Sequence, residues 1–455
     1  ISLDKEFLIK EEFNNTKNIL VAARLNIIDD NILSNMPFIS KCKKYVLLFN
    51  GEIYNFKQLR NKYLKNFELI TKSDTEVLLY LLIHKREKIL SELNGMYAIS
   101  FYDLSNKKVL LARDKLGIKP LFYLHNNEMF SFSSDLKTLL ETKNQKKKIN
   151  KNLALLYLNN LSNDHKVETF FENIFKIEPG KFLIYDLQNY IIEKYQNYWS
   201  IPKNIPKVKR STEEVKNDLY SAVESHTLNN RDFVINLSGG IDSSILLSIF
   251  RELYPTRDIN VYSFNFGKNS DLSEKFYSDL VAKKFNAEKT DIELSIKDYF
   301  NGIVDTNYAL SSPAYGFSNV AQNLLYKKIS ENNIKVSFDG QGADEIFGGY
   351  QGYGVSLMKS NFNRLKIHDF LSNLFYLYKN NNLDNRFILN FLSKFLNKDL
   401  YKFFLNFTEK SLPKDLLNYD KKNYSNFVNV YLEEKNINEN YIFLNEILYF
   451  LTRGM

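Results

Sequence analysis

FVINLSGGIDSS, at residues 233–244, is the stretch that decides the fold of the second half of the chain. Its apolar start is typical of a buried strand, two glycines follow, and apolar residues then recur at helical spacing. A strand that passes through a glycine loop into a helix directs backbone N–H groups at phosphate oxygens. Hydroxyls at Ser238, Ser243 and Ser244 add donors, and no Lys of the Walker type follows the glycines. The stretch therefore predicts a phosphate site in which Asp242 holds Mg²⁺ rather than phosphate itself.

Strands and helices alternate around this loop. Helices are predicted over residues 212–226, 243–253, 273–285 and 320–331, and strands over residues 233–237, 259–266 and 334–338. This alternation predicts right-handed βαβ units and an α/β doubly wound parallel sheet. Beyond Tyr353, apolar residues at helical spacing predict a helical C-terminal part.

A second glycine-rich stretch, DGQGADEIFGGY at residues 339–350, follows the strand predicted over 334–338. Ligands of open α/β sheets bind at the carboxyl ends of the strands. We therefore expect Asp344 to join Asp242 around one Mg²⁺ that neutralises phosphate charge. The loop at 238–244 resembles that of the ATP-pyrophosphatase family, whose members cleave ATP between the α and β phosphates to adenylate a carboxylate or carbonyl oxygen.

The first half of the chain has a different pattern. Short apolar or alternating runs broken by Gly, Asn and Asp extend over residues 19–198 and predict strands with few helices. One helix is predicted from Asp74 to His84, after the N-cap residue Ser73. The proline-bearing, basic stretch 201–207 predicts a linker. We therefore expect an α+β domain over residues 1–200 and the α/β domain over residues 211–455.

The stretch NGEIYN at residues 50–55 follows a predicted strand of the first domain. The Asn50 side-chain amide and the Gly51 backbone N–H are expected to form an oxyanion hole. A free amino acid carries both a carboxylate and an ammonium group. We expect Arg24 to pair with the carboxylate and Asp74 with the ammonium.

Four motifs, in this order, resemble glutamine-hydrolysing asparagine synthetases. They are NGEIYN at residues 50–55, LNGMYA at 93–98, ARDKLGIKPL at 112–121 and SGGIDSS at 238–244. The resemblance covers nearly the whole chain and includes the turn at 178–180 and the segment 197–199. It implies an α+β, N-terminal-nucleophile-type class II glutaminase with an αββα sandwich. It implies a following ATP-pyrophosphatase-type synthetase domain and an internal tunnel for ammonia.

The resemblance also assigns ligand contacts by position. The glutamine set is Arg24, Asn50, Gly51, Glu52 and Asp74. The ATP set is Leu237, Ser238, Gly239, Gly240, Asp242, Ser243, Ser263 and Gly340. The expected Mg²⁺ ligands are Asp242 and Asp344. ATP and Mg²⁺ are therefore the expected cofactors.

Three departures from the family pattern limit this transfer. The family's nucleophile is a Cys at the mature amino terminus, activated by its own α-amine, and that Cys is absent from this chain, which begins with Ile1. Cys42 lies mid-domain and is interpreted as a buried small hydrophobic residue. The chain also stops at Met455, before the family's closing segment, so we expect a chain truncated at both ends. Gln341 stands where many asparagine synthetases have a catalytic Glu, which leaves the acceptor open.

The sequence thus predicts ATP- and glutamine-dependent amidation of aspartate through β-aspartyl-AMP, with release of AMP and pyrophosphate. Two alternatives stay open. One is another carboxylate acceptor, such as a uronic acid of a surface polysaccharide, and the other is a non-catalytic nucleotide-binding homologue. We expect residues 311–319 to line the acceptor pocket, because they precede the helix that leads to the strand at 334–338. This segment contains no Arg or Lys to pair an α-carboxylate.

Composition excludes several other classes of protein. Hydrophobic residues make up 44% of the chain and charged residues 25%, as in globular proteins. The net charge of +8 is interspersed, so no nucleic-acid partner is predicted. The single cysteine excludes an internal disulfide and predicts a reducing, cytoplasmic compartment. No apolar run reaches the roughly 20 residues that span a membrane. Small-molecule substrates are the expected partners, and a homodimer is compatible with these features.

Overall fold

The computed structural model describes residues 6–13, 16–23, 25, 27–28, 32–126, 129–142, 147–160, 167–201, 210–227, 231–266, 274–314 and 316–379. Arg24, the predicted linker after residue 201 and all residues after 379 lie outside this description. The chain forms two compact units. The first comprises residues 1–150, 167–200 and 206–340, and the second comprises residues 151–166, 201–205 and 341–455. None of the described helices has both the length and the apolar character needed to cross a lipid bilayer.

The described elements follow one another along the chain as a strand-rich half and then a mixed half. The strands are β1 (Glu6–Phe13), β2 (Thr16–Ala23), β3 (Phe38–Ile39), β4 (Tyr45–Ile53), β5 (Gly95–Asp103), β6 (Lys108–Arg113), β7 (Phe122–His125), β8 (Phe130–Ser133), β9 (Ile174–Lys176), β10 (Lys181–Asp186), β11 (Ile191–Asn197), β12 (Phe233–Asn236), β13 (Asn260–Asn265), β14 (Glu288–Glu293) and β15 (Val336–Phe338). The helices are α1 (Phe56–Tyr63), α2 (Asp74–Lys85), α3 (Leu136–Leu140), α4 (Lys151–Asn160), α5 (Thr212–His226), α6 (Ile241–Leu253), α7 (Lys275–Lys284), α8 (Ile296–Leu310), α9 (Phe317–Glu331), α10 (Ala343–Phe347), α11 (Gln351–Asn363) and α12 (Ile367–Lys379).

The first half forms an αββα sandwich. Two antiparallel sheets, with strand orders β11-β10-β6-β5-β4-β3 and β8-β7-β9, enclose an apolar layer. On β4, Val46 belongs to this inner layer, whereas Leu47 packs with the helical residue Leu78 on the outer side. Helix α3 covers the other sheet through Leu136 and Leu139. Both faces of the large sheet are therefore buried, and the predicted N-terminal-nucleophile-type sandwich is confirmed.

The second half contains a parallel sheet with helices on both faces. Its order is β14-β13-β12-β15, and every pairing is parallel. Leu247 and Phe250 of α6 pack on one face of the sheet, and Leu325 and Ile329 of α9 pack on the other. After β12, the chain forms β13 and β14 on one side of β12, and it later forms β15 on the other side. A topological switch point therefore lies between β12 and β15. The predicted doubly wound sheet is confirmed.

Several elements differ from the sequence predictions. Helices α6 and α9 begin two and three residues earlier than predicted, and β15 is shorter. The edge strand β14 and the helix α8 were not predicted. Strand β14 has the polar sequence EKTDIE, which does not predict a strand. It lies at the edge of the sheet and is held as a strand by its pairing with β13. Helix α8 begins with a capping box between Ser295 and Asp298.

The second unit is described only in part. Its described elements are helical, and α11 packs against α12. This agrees with the helical C-terminal part predicted beyond Tyr353, as far as residue 379. Residues 380–455 lie outside the described part of the chain.

Candidate functional site

The end of β4 carries the predicted oxyanion-hole residues. Gly51 has a φ of +151°, and an added Cβ would lie 2.0 Å from the Met96 carbonyl oxygen on β5, so only glycine fits there. Tyr97 lies opposite Gly51 in the register. It directs its N–H and its carbonyl to Asp114 rather than to Gly51. Asn50, one residue earlier, is exposed.

Asp74 lies beside this strand end at the start of α2. It is only 4% exposed, and its carboxylate accepts a hydrogen bond of 3.0 Å from the Ile53 N–H. Burial is the main cause that raises the pKa of Asp74 to about 7; the negative charge of Glu52 acts in the same direction, and the hydrogen bond from the Ile53 N–H acts against it. Burial also raises the pKa of Glu52, and Lys119 acts in the opposite direction. A buried carboxyl group, Asp74, and a half-buried one, Glu52, thus lie near Gly51, which is an arrangement suited to a cationic ligand group.

Asp114 supports this region, and sequence reasoning assigned no role to it. It is 1% exposed, and its carboxylate accepts hydrogen bonds from the backbone N–H groups of Tyr97, Leu116, Ile118 and Lys119. Four backbone donors on one carboxylate hold the loop after β6 against β5. The ARDKLGIKPL motif at 112–121 therefore has a structural function. The signal available in the sequence was the position of this Asp directly after an apolar strand.

Tyr198 connects the end of the first half to the same region. Its hydroxyl donates to the Arg113 carbonyl at 2.6 Å and lies 2.8 Å from the Tyr97 hydroxyl. The backbone N–H groups of Tyr198 and Trp199 both donate to the Gly180 carbonyl, at 3.0 and 3.2 Å. The segment that follows β11 is therefore fastened to both β5 and the turn before β10.

Cys42 is exposed, so its interpretation as a buried residue is wrong. It lies in the turn between β3 and β4, where lysines occupy positions 41, 43 and 44. A turn rich in charged residues stays at the surface, and a small apolar residue within it stays exposed too. A hydrogen bond with the Ser40 hydroxyl, at 3.3 Å, lowers the pKa of the Cys42 thiol.

The phosphate loop has the predicted strand, loop and helix geometry. Gly239 has a φ of +90°, and Gly240 is the N-cap of α6. The Ser238 hydroxyl accepts from the Gly240 N–H and lies 3.1 Å from the Ser243 hydroxyl. Ser263 on β13 is buried and donates its hydroxyl to the Leu237 carbonyl behind the loop. These six residues of the predicted ATP set form one cluster with a seventh, Asp242, in the first turn of α6.

Gly340, the last residue of the first unit, lies against this loop. A Cβ at position 340 would lie 2.9 Å from the Ser243 nitrogen and 3.0 Å from the Asp242 Cβ. The preceding residue, Asp339, accepts hydrogen bonds from the Asn236 amide at 3.1 Å and from the Tyr326 hydroxyl at 2.7 Å. The carboxyl ends of β12 and β15 are thus in contact at the switch point, where ligands of such sheets bind.

Gln341 and Asp344 belong to the second unit. Asp344 lies in the first turn of α10, and its carbonyl accepts from the Gly349 N–H at 2.9 Å. The adjacent Glu345 is buried, with one oxygen bonded to the Tyr350 hydroxyl and the other without a partner among the described residues. Within the described residues, no three His, Cys, Asp or Glu side chains converge as a metal site. The Mg²⁺ pair of Asp242 and Asp344 stays a prediction.

The predicted acceptor segment follows α8 directly. Ser311 ends this helix in a left-handed conformation with a φ of +54°, and Tyr315 lies outside the described residues. Lys137, on α3 of the first half, donates to the Tyr308 carbonyl at 3.3 Å and lies 4.9 Å from the Tyr308 ring centroid. The two halves of the first unit therefore touch beside this segment. Its role in acceptor binding stays a prediction.

Comparison with known proteins identifies the family. A glutamine amidotransferase domain model matches residues 9–199, and an asparagine synthase model matches residues 214–430. The chain belongs to the asparagine synthetase family. A relative from Methanocaldococcus jannaschii is 31% identical over 331 residues, which cover 71% of this chain and 62% of the relative. Asparagine synthetase 1 of Bacillus subtilis is 29% identical over 347 residues, which cover 75% of this chain and 53% of that protein.

This family member spans between about half and three fifths of the length of those curated relatives. Among solved structures, it is similar to the glutamine phosphoribosylpyrophosphate amidotransferase of B. subtilis complexed with ADP and GMP. The sequence identity is 13% and the TM-score is 0.31, over 60% of this chain and 76% of that chain.

Proposed function

We propose that this asparagine synthetase family member uses ATP and glutamine to convert a carboxylate into an amide. Aspartate is the leading acceptor, with β-aspartyl-AMP as the intermediate and AMP and pyrophosphate as products. The observation that carries the proposal is the contact of the Gly340 turn with the phosphate loop at the switch point. The proposed division into domains over residues 1–200 and 211–455 is supported by the two matched ranges.

The chain's own groups account for phosphate binding. The Ser238 and Ser243 hydroxyls and the amino end of α6 supply donors and partial positive charge to the phosphates. Mg²⁺ fits the available donors, because Asp242 is partly exposed beside the loop and hard carboxylate oxygens are its preferred ligands. When bound by Asp242 and Asp344, Mg²⁺ would supply charge neutralisation for the leaving pyrophosphate.

The glutamine site uses a separate set of groups. We propose that the Asn50 amide and the Gly51 N–H stabilise the oxyanion that forms at the glutamine side-chain carbonyl. Asp74 and Glu52 bind the substrate ammonium, since two neighbouring carboxyl groups favour a cation between them. Arg24 pairs with the substrate carboxylate.

A second acceptor class is favoured by two features of the synthetase half. Gln341 occupies the position at which many asparagine synthetases have a Glu, and the segment at 311–319 has no basic residue. An α-carboxylate of aspartate would then be held by hydroxyls and helix N–H groups alone. A carboxylate without that second charge, such as a uronic acid, is the alternative acceptor.

Pyrophosphate release with ammonium salts and a panel of carboxylates tests the proposal, because ammonium bypasses glutamine hydrolysis. Release with aspartate, and asparagine detected by mass spectrometry, is the expected result. Asp242→Asn should abolish release, whereas Asp232→Asn, whose side chain is fully exposed, should not change it. ATP binding with no release for any carboxylate would instead indicate the non-catalytic homologue.

A further inference from the structure

Asn236 is an unusual residue for its place in the fold. It lies on β12, a central strand of a parallel sheet, and it is only 8% exposed. Parallel sheets are covered on both faces, and their central strands are normally apolar throughout. The neighbours Val234, Ile235 and Leu237 follow that rule. A polar side chain at this position therefore requires a reason other than packing.

The hydrogen bonds of Asn236 supply one. Its amide donates to one oxygen of Asp339 at 3.1 Å, and the Tyr326 hydroxyl donates to the other oxygen at 2.7 Å. The Gln322 amide donates to the same Tyr326 hydroxyl at 2.9 Å, which completes a chain of polar groups from α9 to β12. The Asn236 side-chain oxygen is buried and has no partner among the described residues. A buried oxygen without a partner lowers the free energy of unfolding, so stability does not explain an Asn at this position. The hydrogen bond from its amide nitrogen to Asp339 does.

Asp339 stands next to the glycine that touches the phosphate loop. Gly340 approaches so closely that an added Cβ would lie 2.9 Å from the Ser243 nitrogen. Asp339 is held from two sides, by β12 and by α9, and this fixes the path of the backbone at Gly340. The distance between Gly340 and the phosphate loop is thereby set before any ligand binds.

We propose that Asn236 and Tyr326 are positioning residues that act through Asp339 to hold the Gly340 turn in the geometry that binds ATP. The proposal rests on the proposed function only in taking ATP as the ligand of this loop. A positioning role of Asn236 can be distinguished from a role in stability. A leucine at position 236 would remove the unpartnered oxygen and pack at least as well, so the fold would lose nothing while the turn lost its anchor.

The experiment compares Asn236→Leu with Ser337→Ala in the full chain. Ser337, on the adjacent strand β15, also buries a hydroxyl oxygen that has no partner among the described residues, so its side chain does not anchor the turn. Thermal denaturation and the Kd for ATP with Mg²⁺, measured by titration calorimetry, are the two readouts. We expect both variants to melt at or above the wild-type temperature. Asn236→Leu should raise the Kd for ATP about tenfold, and Ser337→Ala should leave it unchanged.

A double-mutant cycle tests the route through Asp339. In an Asp339→Ala background, Asn236→Leu should have no further effect on the Kd, because the contact it removes is already absent. Tyr326→Phe, at a residue 40% exposed, removes the other donor and should weaken ATP binding even if Asn236→Leu does not fold. Wild-type affinity in both Asn236→Leu and Tyr326→Phe, or equal weakening in Ser337→Ala, would overturn the proposal.

Hydrogen exchange without ATP separates this proposal from the proposed function. Amides of residues 339–342 should exchange faster in Asn236→Leu than in Ser337→Ala or the wild type. If the wild-type chain binds no ATP, the proposed function fails, and the exchange result still decides whether Asn236 holds the turn. Equal exchange in all three proteins would refute the anchoring role.

Discussion

Asp74 should couple the stability of the first domain to pH. Its pKa lies at about 7 because burial disfavours the ionised form and the Glu52 charge adds repulsion. Relative to the usual value of 3.8, this corresponds to about 4 kcal/mol. The folded-state pKa is the higher one, so folding takes up a proton. The contribution to stability is complete below about pH 4 and is lost as the pH rises through about 7.

Glutamine binding should show the same coupling with the opposite sign. An ammonium group favours the ionised form of Asp74, so binding near pH 7 should release protons. The affinity for glutamine should then be about tenfold weaker at pH 6 than at pH 8. Titration calorimetry in two buffers of different ionisation enthalpy measures both the affinity and the number of protons released.

Variants assign the effect to one residue. Asp74→Asn should bind glutamine more weakly, with an affinity that no longer changes between pH 6 and 8, and Asp232→Asn, at a fully exposed side chain, should behave as the wild type. Glu52→Gln should move the midpoint to lower pH but leave it above 3.8, because burial is the larger cause. Proton release that persists in Asp74→Asn, or a wild-type affinity independent of pH, would refute the reasoning.

Three further substitutions test other contacts. Gly340→Ala places a methyl group 2.9 Å from the Ser243 nitrogen, so calorimetry should show ATP binding weakened about tenfold or more. Asp114→Asn removes the charged acceptor of four N–H groups and should lower the free energy of unfolding in urea by about 2–4 kcal/mol. Lys137→Met should speed hydrogen exchange at Tyr308 and its neighbours while Tm falls by less than about 3 °C. Wild-type values in any of these would contradict the corresponding contact.

Local signals made much of the second half predictable. Helix α5 has the predicted bounds, residues 212–226, and its start is set by a capping box between Ser211 and Glu214, which are only three residues apart in the sequence. The phosphate loop was predictable because glycines, serines and a helix start follow one another directly. Strand β14 was not, since its polar sequence becomes a strand only through its partner β13.

The finer parts of the site depend on pairs distant in sequence. The requirement for glycine at position 51 comes from the Met96 carbonyl oxygen, which the pairing of β4 with β5 brings beside Gly51. The contact of Asn236 with Asp339 joins the ends of two strands 103 residues apart. A lone Asn within an apolar run was a visible signal, but only the strand order identifies its partner.

The hydrogen bonds of Tyr198 and Trp199 have a practical consequence for expressing the first domain separately. Strand β11 ends at Asn197, and a fragment cut there would keep every strand of the sandwich. It would lose the hydroxyl that bridges the Arg113 carbonyl and Tyr97, and both donors to the Gly180 carbonyl. A separately expressed glutaminase-type domain should therefore extend through Trp199, because Tyr198 and Trp199 help to hold β5, the strand that pairs with β4 at Gly51.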